Sequence, residues 1–140
     1  MSSKVHQFIA DLIVRRMNLE GYEVVSFEGT SEAEQIKLKL PPKIRRHRPD
    51  LIGIKPKSLA IGEAKTANDL TIRTKEQLQD FTNDTNWPPE VEHQVFFGMP
   101  MSIEERFERI VNELGISDKN LIVLPVPDRL LPDEENTIQT

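Results

Sequence analysis

Three charged side chains that could act on a phosphodiester lie close together in the sequence. Asp50 stands in one largely apolar segment, and Glu63 and Lys65 end the next. Carboxylate oxygens are ligands that Mg²⁺ prefers, and the bound ion usually keeps waters and substrate oxygens as well. A nearby lysine can stabilise charge on a phosphate or lower the pKa of an attacking water. These residue types therefore favour metal-assisted hydrolysis as the candidate chemistry.

The segments that carry these residues predict a β-hairpin. A turn centred on Pro56 and Lys57 places Asp50 directly opposite Glu63. Because side chains alternate along a strand, Lys65 then points to the same face. Two carboxylates opposed across a hairpin are destabilising unless they share a proton or bind a cation. The hairpin therefore predicts a cation site at one end of the sheet.

The same register gives the hairpin two different faces. Apart from the charged residues, one face is apolar, with Ile52 opposite Ile61 and Ile54 opposite Leu59. The other face carries mostly small side chains, which predicts a closely packed helix: Leu51, Gly53, Ala60, Gly62 and Ala64. An ordinary salt-bridge cluster at a strand end is the alternative interpretation, and a one-residue slip of the register would separate the charges.

Hydrophobic periodicity predicts the elements that must position this hairpin. The predicted helices cover residues 5–17, 70–83 and 102–114, and the predicted strands cover residues 22–27, 47–54, 58–65, 91–99 and 121–126. An alternating run at residues 36–40 is a further candidate for a short edge strand. Ser102 and Glu105 form a capping-box pattern at the start of the third helix. The order αβββαβαβ predicts an α/β fold whose central mixed β-sheet has helices on both faces.

Length and composition limit the class of protein. The 140 residues fit one domain, expected over 1–126 and followed by a polar C-terminal tail over 127–140. The absence of cysteine excludes disulfides, thiolate zinc sites and cysteine nucleophiles, and it fits a cytoplasmic protein. No apolar run is long enough to span a membrane, so we expect no membrane partner.

At the hairpin, the sequence resembles the PD-(D/E)xK nuclease superfamily. Pro49-Asp50 followed by Glu63-Ala64-Lys65 matches every named position of that motif. The order of helix, three strands, helix and strand is also similar to the family core, so the resemblance covers roughly residues 5–97. It implies a restriction-endonuclease-like core within the predicted α/β fold.

The resemblance also implies an activity and a cofactor. Asp50, Glu63 and the carbonyl of Ala64 would hold Mg²⁺, for which Mn²⁺ would substitute, and Lys65 would act near the nucleophilic water. The implied reaction is hydrolysis of DNA phosphodiester bonds by an endonuclease. One or two metal ions could serve such a displacement.

Two further positions extend the resemblance. Gln77 and Phe81 are similar to the Q-x-x-x-Y/F pattern on the helix after the lysine in RecB-like members, so Gln77 is a candidate catalytic residue. A glutamine that simply lies in the core or at its rim is the alternative. Many members carry a glutamate on the first helix, where this chain offers only His6, Gln7 and Asp11. We take His6 as the auxiliary residue.

Cations immediately before Asp50 predict contacts with the DNA backbone. The strip from Lys37 to Arg48 contains no acidic residue, although the chain as a whole has a net charge of −5. Guanidinium groups suit phosphate contacts. The predicted DNA-binding residues are Lys43, Arg45, Arg46 and Arg48, and a solvated loop is the alternative.

The sequence is compatible with three functions. The first is an active DNA endonuclease, acting as a homodimer or with a partner subunit, for which the Trp87-Pro88-Pro89 segment and the last helix are candidate contacts. The second is a catalytically inactive nuclease-fold module that binds nucleic acid or a partner protein. The third is an acidic α/β domain in which the hairpin charges are structural.

Overall fold

The chain is described by a computed structural model over residues 3–27, 42–116 and 118–133. Its helices are α1 (Lys4–Leu19), α2 (Ile72–Thr82) and α3 (Glu104–Leu114), and its strands are β1 (Glu23–Phe27), β2 (Leu51–Lys55), β3 (Ser58–Ala64), β4 (Glu92–Pro100) and β5 (Leu121–Val126). The predicted order αβββαβαβ is confirmed for these residues. The candidate strand at 36–40 lies outside them. None of the described helices is long and apolar enough to cross a membrane.

The strands form one five-stranded sheet in the order β1-β2-β3-β4-β5. β1, β2 and β3 pair antiparallel, whereas β3, β4 and β5 pair parallel. The α/β class and the mixed sheet are therefore confirmed. Because α2 follows β3 and α3 follows β4, both crossovers begin at the end of the sheet where the candidate site lies.

The two faces of the sheet bury separate apolar clusters, because side chains alternate along each strand. α1 packs on one face through a cluster that includes Ile13 and Phe96. α2 and α3 pack on the other face through a cluster that includes Leu78, Phe97 and Phe107. Helices therefore cover both faces, as the sequence predicts.

The small side chains of the hairpin allow α1 to approach the sheet closely. A Cβ atom added to Gly62 would lie 2.7 Å from Leu51 Cγ and 2.9 Å from Met17 Cε. A side chain at this position would displace both neighbours, so the predicted close helix packing is confirmed on this face.

The beginning of β2 differs from its prediction. The strand begins at Leu51 rather than near His47, because residues 44–47 form a tight turn closed by hydrogen bonds between Ile44 and His47. Arg45 in this turn has a φ of 57°. Pro49 then lacks the N–H that would extend the ladder.

Differences also occur around the third helix and after β5. The capping-box prediction is wrong: Ile103 precedes α3, while Ser102 donates from its backbone N–H and its hydroxyl to Asp128 at 2.9 and 2.7 Å. Leu131, within the predicted tail, packs against the α1 cluster, and the predicted bounds of the domain and the tail stay a prediction. Trp87, a predicted subunit contact, is half-buried against the other cluster.

Candidate active site

The hairpin has the register that the sequence predicts. Leu51 lies opposite Gly62, and Ile52 lies opposite Ile61. Asp50 stands one residue before β2, and its backbone N–H donates to Glu63 Oε1 at 3.1 Å. Both acidic residues therefore lie at the end of the hairpin that is farther from the turn, where the Glu63 carboxylate contacts the backbone of Asp50.

A backbone N–H at the end of β3 and a side chain of α1 contact the Asp50 carboxylate. Its Oδ2 accepts a hydrogen bond from the backbone N–H of Ala64 at 2.8 Å and lies 3.1 Å from His6 Nε2. His6 belongs to the first turn of α1, where its backbone N–H donates to the Ser3 hydroxyl that caps the helix. The cap thus fixes the helix end that brings His6 to the site, although His6 is far from the hairpin in sequence.

α2 completes the site from the opposite face of the sheet. Gln77 accepts a hydrogen bond from Lys65 Nζ, and its own Nε2 donates to Glu63 Oε2 at 3.2 Å. Lys65 Nζ also forms an ion pair with Glu63 Oε2 at 3.3 Å. All three side chains are buried. The amide of Gln77 therefore holds the lysine and the carboxylate in a fixed relative orientation.

The charges of this cluster are unbalanced around Glu63. Burial, followed by the charge of Asp50, raises the pKa of Glu63 to about 8, although Lys65 acts in the opposite direction. Burial lowers the pKa of the His6 imidazole, but its hydrogen bond to Asp50 and the nearby carboxylates raise that pKa overall. A group that neutralises Asp50 and Glu63 together would allow both carboxylates to ionise.

The donor set fits a hard divalent cation better than a soft one. The described residues contain no group of three or more His, Cys, Asp or Glu side chains arranged to hold a metal ion. Asp50 and Glu63 provide two carboxylates, which is the number that Mg²⁺ commonly takes from a protein while it retains waters. A site of this kind requires no third acidic side chain.

The main chain offers a further oxygen next to the carboxylates. The backbone N–H of Lys65 donates to the carbonyl of Gly98 in β4. Because backbone groups alternate in direction along a strand, the N–H and the C=O of Ala64 point the other way, toward β2. Two steps beyond the last ladder pair, Leu51–Gly62, the register extrapolates to Pro49 opposite Ala64. Because proline has no N–H, the carbonyl of Ala64 receives no ladder bond from Pro49. The role of this oxygen as a metal ligand beside Asp50 and Glu63 stays a prediction.

The predicted DNA-binding residues fall into two groups. Lys43 and Arg48 are exposed on the segment that leads to Asp50. Arg45 instead donates to the side chains of Asn86 and Thr85. Arg46 forms ion pairs with Asp80 and with Glu76.

Sequence reasoning missed the cluster that Arg46, His47 and Asp80 form. The Asp80 carboxylate accepts from the backbone N–H and the guanidinium of Arg46, and it lies 2.9 Å from His47 Nδ1. Asp80 is one helical turn beyond Gln77, so the spacing of these two polar residues along α2 was the available signal. The sequence prediction used Gln77 of this pair and assigned no role to Asp80.

The comparisons with known proteins assign no family. The chain matches no protein-family model, and it has no match among curated proteins or among solved structures. The resemblance to the PD-(D/E)xK superfamily therefore stays a prediction that rests on the motif and its surroundings.

Proposed function

We propose that this chain is a metal-dependent DNA endonuclease with a restriction-endonuclease-like core. The observation that carries the proposal is the buried cluster in which Asp50 and Glu63 meet beside Lys65. A structural salt-bridge cluster would balance its charges, whereas this one leaves Glu63 with a strongly raised pKa. An excess of carboxylate over cation is the electrostatic requirement of a metal site.

Each residue has a specific task in this proposal. Asp50, Glu63 and the carbonyl of Ala64 would hold Mg²⁺, and Mn²⁺ would substitute. When bound, the ion supplies Lewis acidity and lowers the pKa of a coordinated water. Lys65 stabilises negative charge that develops on the phosphate.

Two further residues position these groups. Gln77 keeps Lys65 and Glu63 aligned through both ends of its amide. His6 restrains the Asp50 carboxylate through its Nε2 atom. Neither residue needs to contact the substrate in order to affect the reaction.

The cations before Asp50 supply the proposed DNA contacts. Arg48 and Lys43 are exposed at the entrance to the site, so they are the stronger candidates for phosphate binding. Arg45 and Arg46 would have to exchange their present partners for phosphate oxygens. These contacts concern the DNA backbone and carry no sequence specificity.

A cleavage assay tests the proposal. Labelled linear, nicked, branched and single-stranded DNA would be incubated with Mg²⁺, Mn²⁺ or EDTA, with wild-type protein and with Asp50→Asn. Asp84→Asn is the matched control, because Asp84 is 81% exposed and lies far from the site. We expect metal-dependent cleavage by the wild type and by the control, and none by Asp50→Asn. Folded wild-type protein that cuts no substrate would favour an inactive module that binds nucleic acid or a protein.

A further inference from the structure

Asp80 contacts the 44–47 turn, which precedes the candidate site in the sequence. Its side chain is almost fully buried. Its carboxylate accepts from Arg46 N–H at 3.1 Å, from Arg46 Nη2 at 2.9 Å, and from His47 Nδ1 at 2.9 Å when that atom carries the proton. One buried acceptor on α2 thus holds the backbone N–H of Arg46 and the side chains of Arg46 and His47.

Other contacts hold the same turn in the same place. Ile44 is buried in the cluster under α2 and α3. Arg45 donates to Asn86 Oδ1 at 2.9 Å, and Asn86 in turn donates to the carbonyl of Asp80 at 2.7 Å. The turn is therefore attached to α2 and to the segment that follows it through apolar and polar contacts.

Only Arg48 and Pro49 separate this turn from Asp50. Pro49 is buried, and its ring fixes φ near −65°, so the connection has little freedom. A shift of the turn would therefore move the Asp50 carboxylate relative to Glu63. We infer that Asp80 is a positioning residue that sets the location of Asp50 through the 44–47 turn.

The inference gives α2 two related tasks. Gln77 aligns Lys65 and Glu63 on β3, and Asp80 aligns Asp50 on the segment leading to β2. The two halves of the site would thus be placed by side chains that are one helical turn apart. The consequence for catalysis rests on the proposed nuclease function, whereas the coupling between Asp80 and Asp50 does not.

The His6 imidazole provides a readout of the Asp50 position without metal or DNA. Its Nε2 atom lies 3.1 Å from Asp50 Oδ2, so its NMR signals report on that contact. We expect Asp80→Asn to shift the His6 ring signals relative to those of the wild type. His47 contacts Asp80 directly, so its signals carry no information about the coupling.

A variant with a distant buried defect separates positioning from general loss of stability. Tyr22→Phe removes a hydrogen bond of 2.6 Å to Ser58 at the opposite end of the hairpin. It should lower the melting temperature and leave the His6 signals and kcat unchanged. Asp80→Asn should lower kcat about 10-fold or more, with a smaller change in KM, which is a typical effect of removing an outer positioning group.

Three outcomes would overturn the inference. These are unchanged His6 signals in folded Asp80→Asn protein, equal shifts in Tyr22→Phe, or unchanged kcat in an active enzyme. If Asp80→Asn does not fold, Arg46→Ala replaces it, since that side chain is half exposed. The His6 signals of folded Arg46→Ala protein must then shift, and unchanged signals would overturn the inference. A wild-type protein without nuclease activity would defeat the proposed function, and the His6 signals would still decide the coupling.

Discussion

Two buried carboxylates, one on α2 and one that α2 contacts, have opposite electrostatic surroundings. Asp80 and Glu63 are 3% and 4% exposed. Burial acts to raise the pKa of Asp80, but hydrogen bonds from Arg46 and His47 outweigh it and lower that pKa overall. Burial and the charge of Asp50 raise the pKa of Glu63 to about 8.

The charge of Asp80 is compensated by groups of the chain itself, whereas the charge of Glu63 is not. Asp80 meets donors on both of its oxygens, so its ionised form is fully compensated. Glu63 has Lys65 beside it but also faces Asp50, and the nearby charges of Lys65 and His6 do not return the pKa of Glu63 to its usual range. Such incomplete compensation at a buried position is common at functional sites. The first cluster therefore holds the fold, and the second is the candidate for a ligand.

The largest expected effect is the loss of activity in Lys65→Ala. Because the site is buried, removal of its one lysine withdraws stabilisation from the charge that develops on the phosphate, and kcat should fall about 10²- to 10³-fold. Metal-dependent cleavage of the preferred substrate measures it. Lys57→Ala, in the exposed hairpin turn, should keep full activity. Unchanged cleavage by Lys65→Ala would remove Lys65 from the mechanism.

The second prediction concerns the pH dependence of stability without divalent metal. In the folded chain Glu63 keeps its proton up to a pKa of about 8, whereas in the unfolded chain it loses the proton near 4.5. Between these values the folded state binds more protons, so the free energy of unfolding falls as pH rises. The contribution is at most about 1.4 kcal/mol per pH unit.

Urea unfolding in EDTA at pH 6 and pH 8 tests this dependence. Glu63→Gln cannot ionise, so its free energy of unfolding should fall less between the two pH values than that of the wild type. Glu108→Gln, the same substitution at an exposed position of α3, should behave as the wild type does. Equal decreases in the wild type and Glu63→Gln would contradict the proposed difference between the two clusters.

A smaller effect is expected from Pro49→Ala. The new N–H would lie opposite the carbonyl of Ala64 and could occupy it, so Mn²⁺ should bind about threefold to tenfold more weakly. Calorimetric titration measures the affinity, and Pro56→Ala in the exposed turn is the control. An unchanged affinity would mean that the Ala64 carbonyl is not a ligand.

The smallest effect is expected from the cations at the entrance. Arg48→Ala should weaken DNA binding and reduce the slope of log K against log salt by about 0.9 if it contacts one phosphate. Arg46→Ala should instead lower stability, because its guanidinium pairs with Asp80. Fluorescence anisotropy at several salt concentrations measures the slope. A larger decrease of this slope in Arg46→Ala than in Arg48→Ala would mean that Arg46, rather than Arg48, contacts the phosphate.

Local patterns in the sequence were sufficient for the hairpin and its charges. The alternation of side chains and the Pro56-Lys57 turn fix the register, and the register brings Asp50 to Glu63. The 3.6-residue period likewise located α2, which carries Gln77. These features depend on neighbours along the chain, so a sequence can specify them.

The remaining features depend on residues that are distant in sequence. The contact of His47 with Asp80 joins positions that no periodicity relates, and residues 44–47 form a turn instead of the predicted start of β2. Ser102 matched a capping box, but Asp128 offers both of its oxygens to Ser102 and helix α3 begins later. Tertiary hydrogen bonds override local preference at both places.

The most direct test of the account is a Mn²⁺ titration of the DNA-free protein by isothermal calorimetry. Wild-type protein, Asp50→Asn, Glu63→Gln and the control Asp84→Asn would be compared at one pH. We expect saturable binding by the wild type and the control, with binding lost or at least about 10-fold weaker in the two site variants. Equal binding by all four proteins, or no binding by folded wild type, would contradict the assignment of Asp50 and Glu63 as metal ligands.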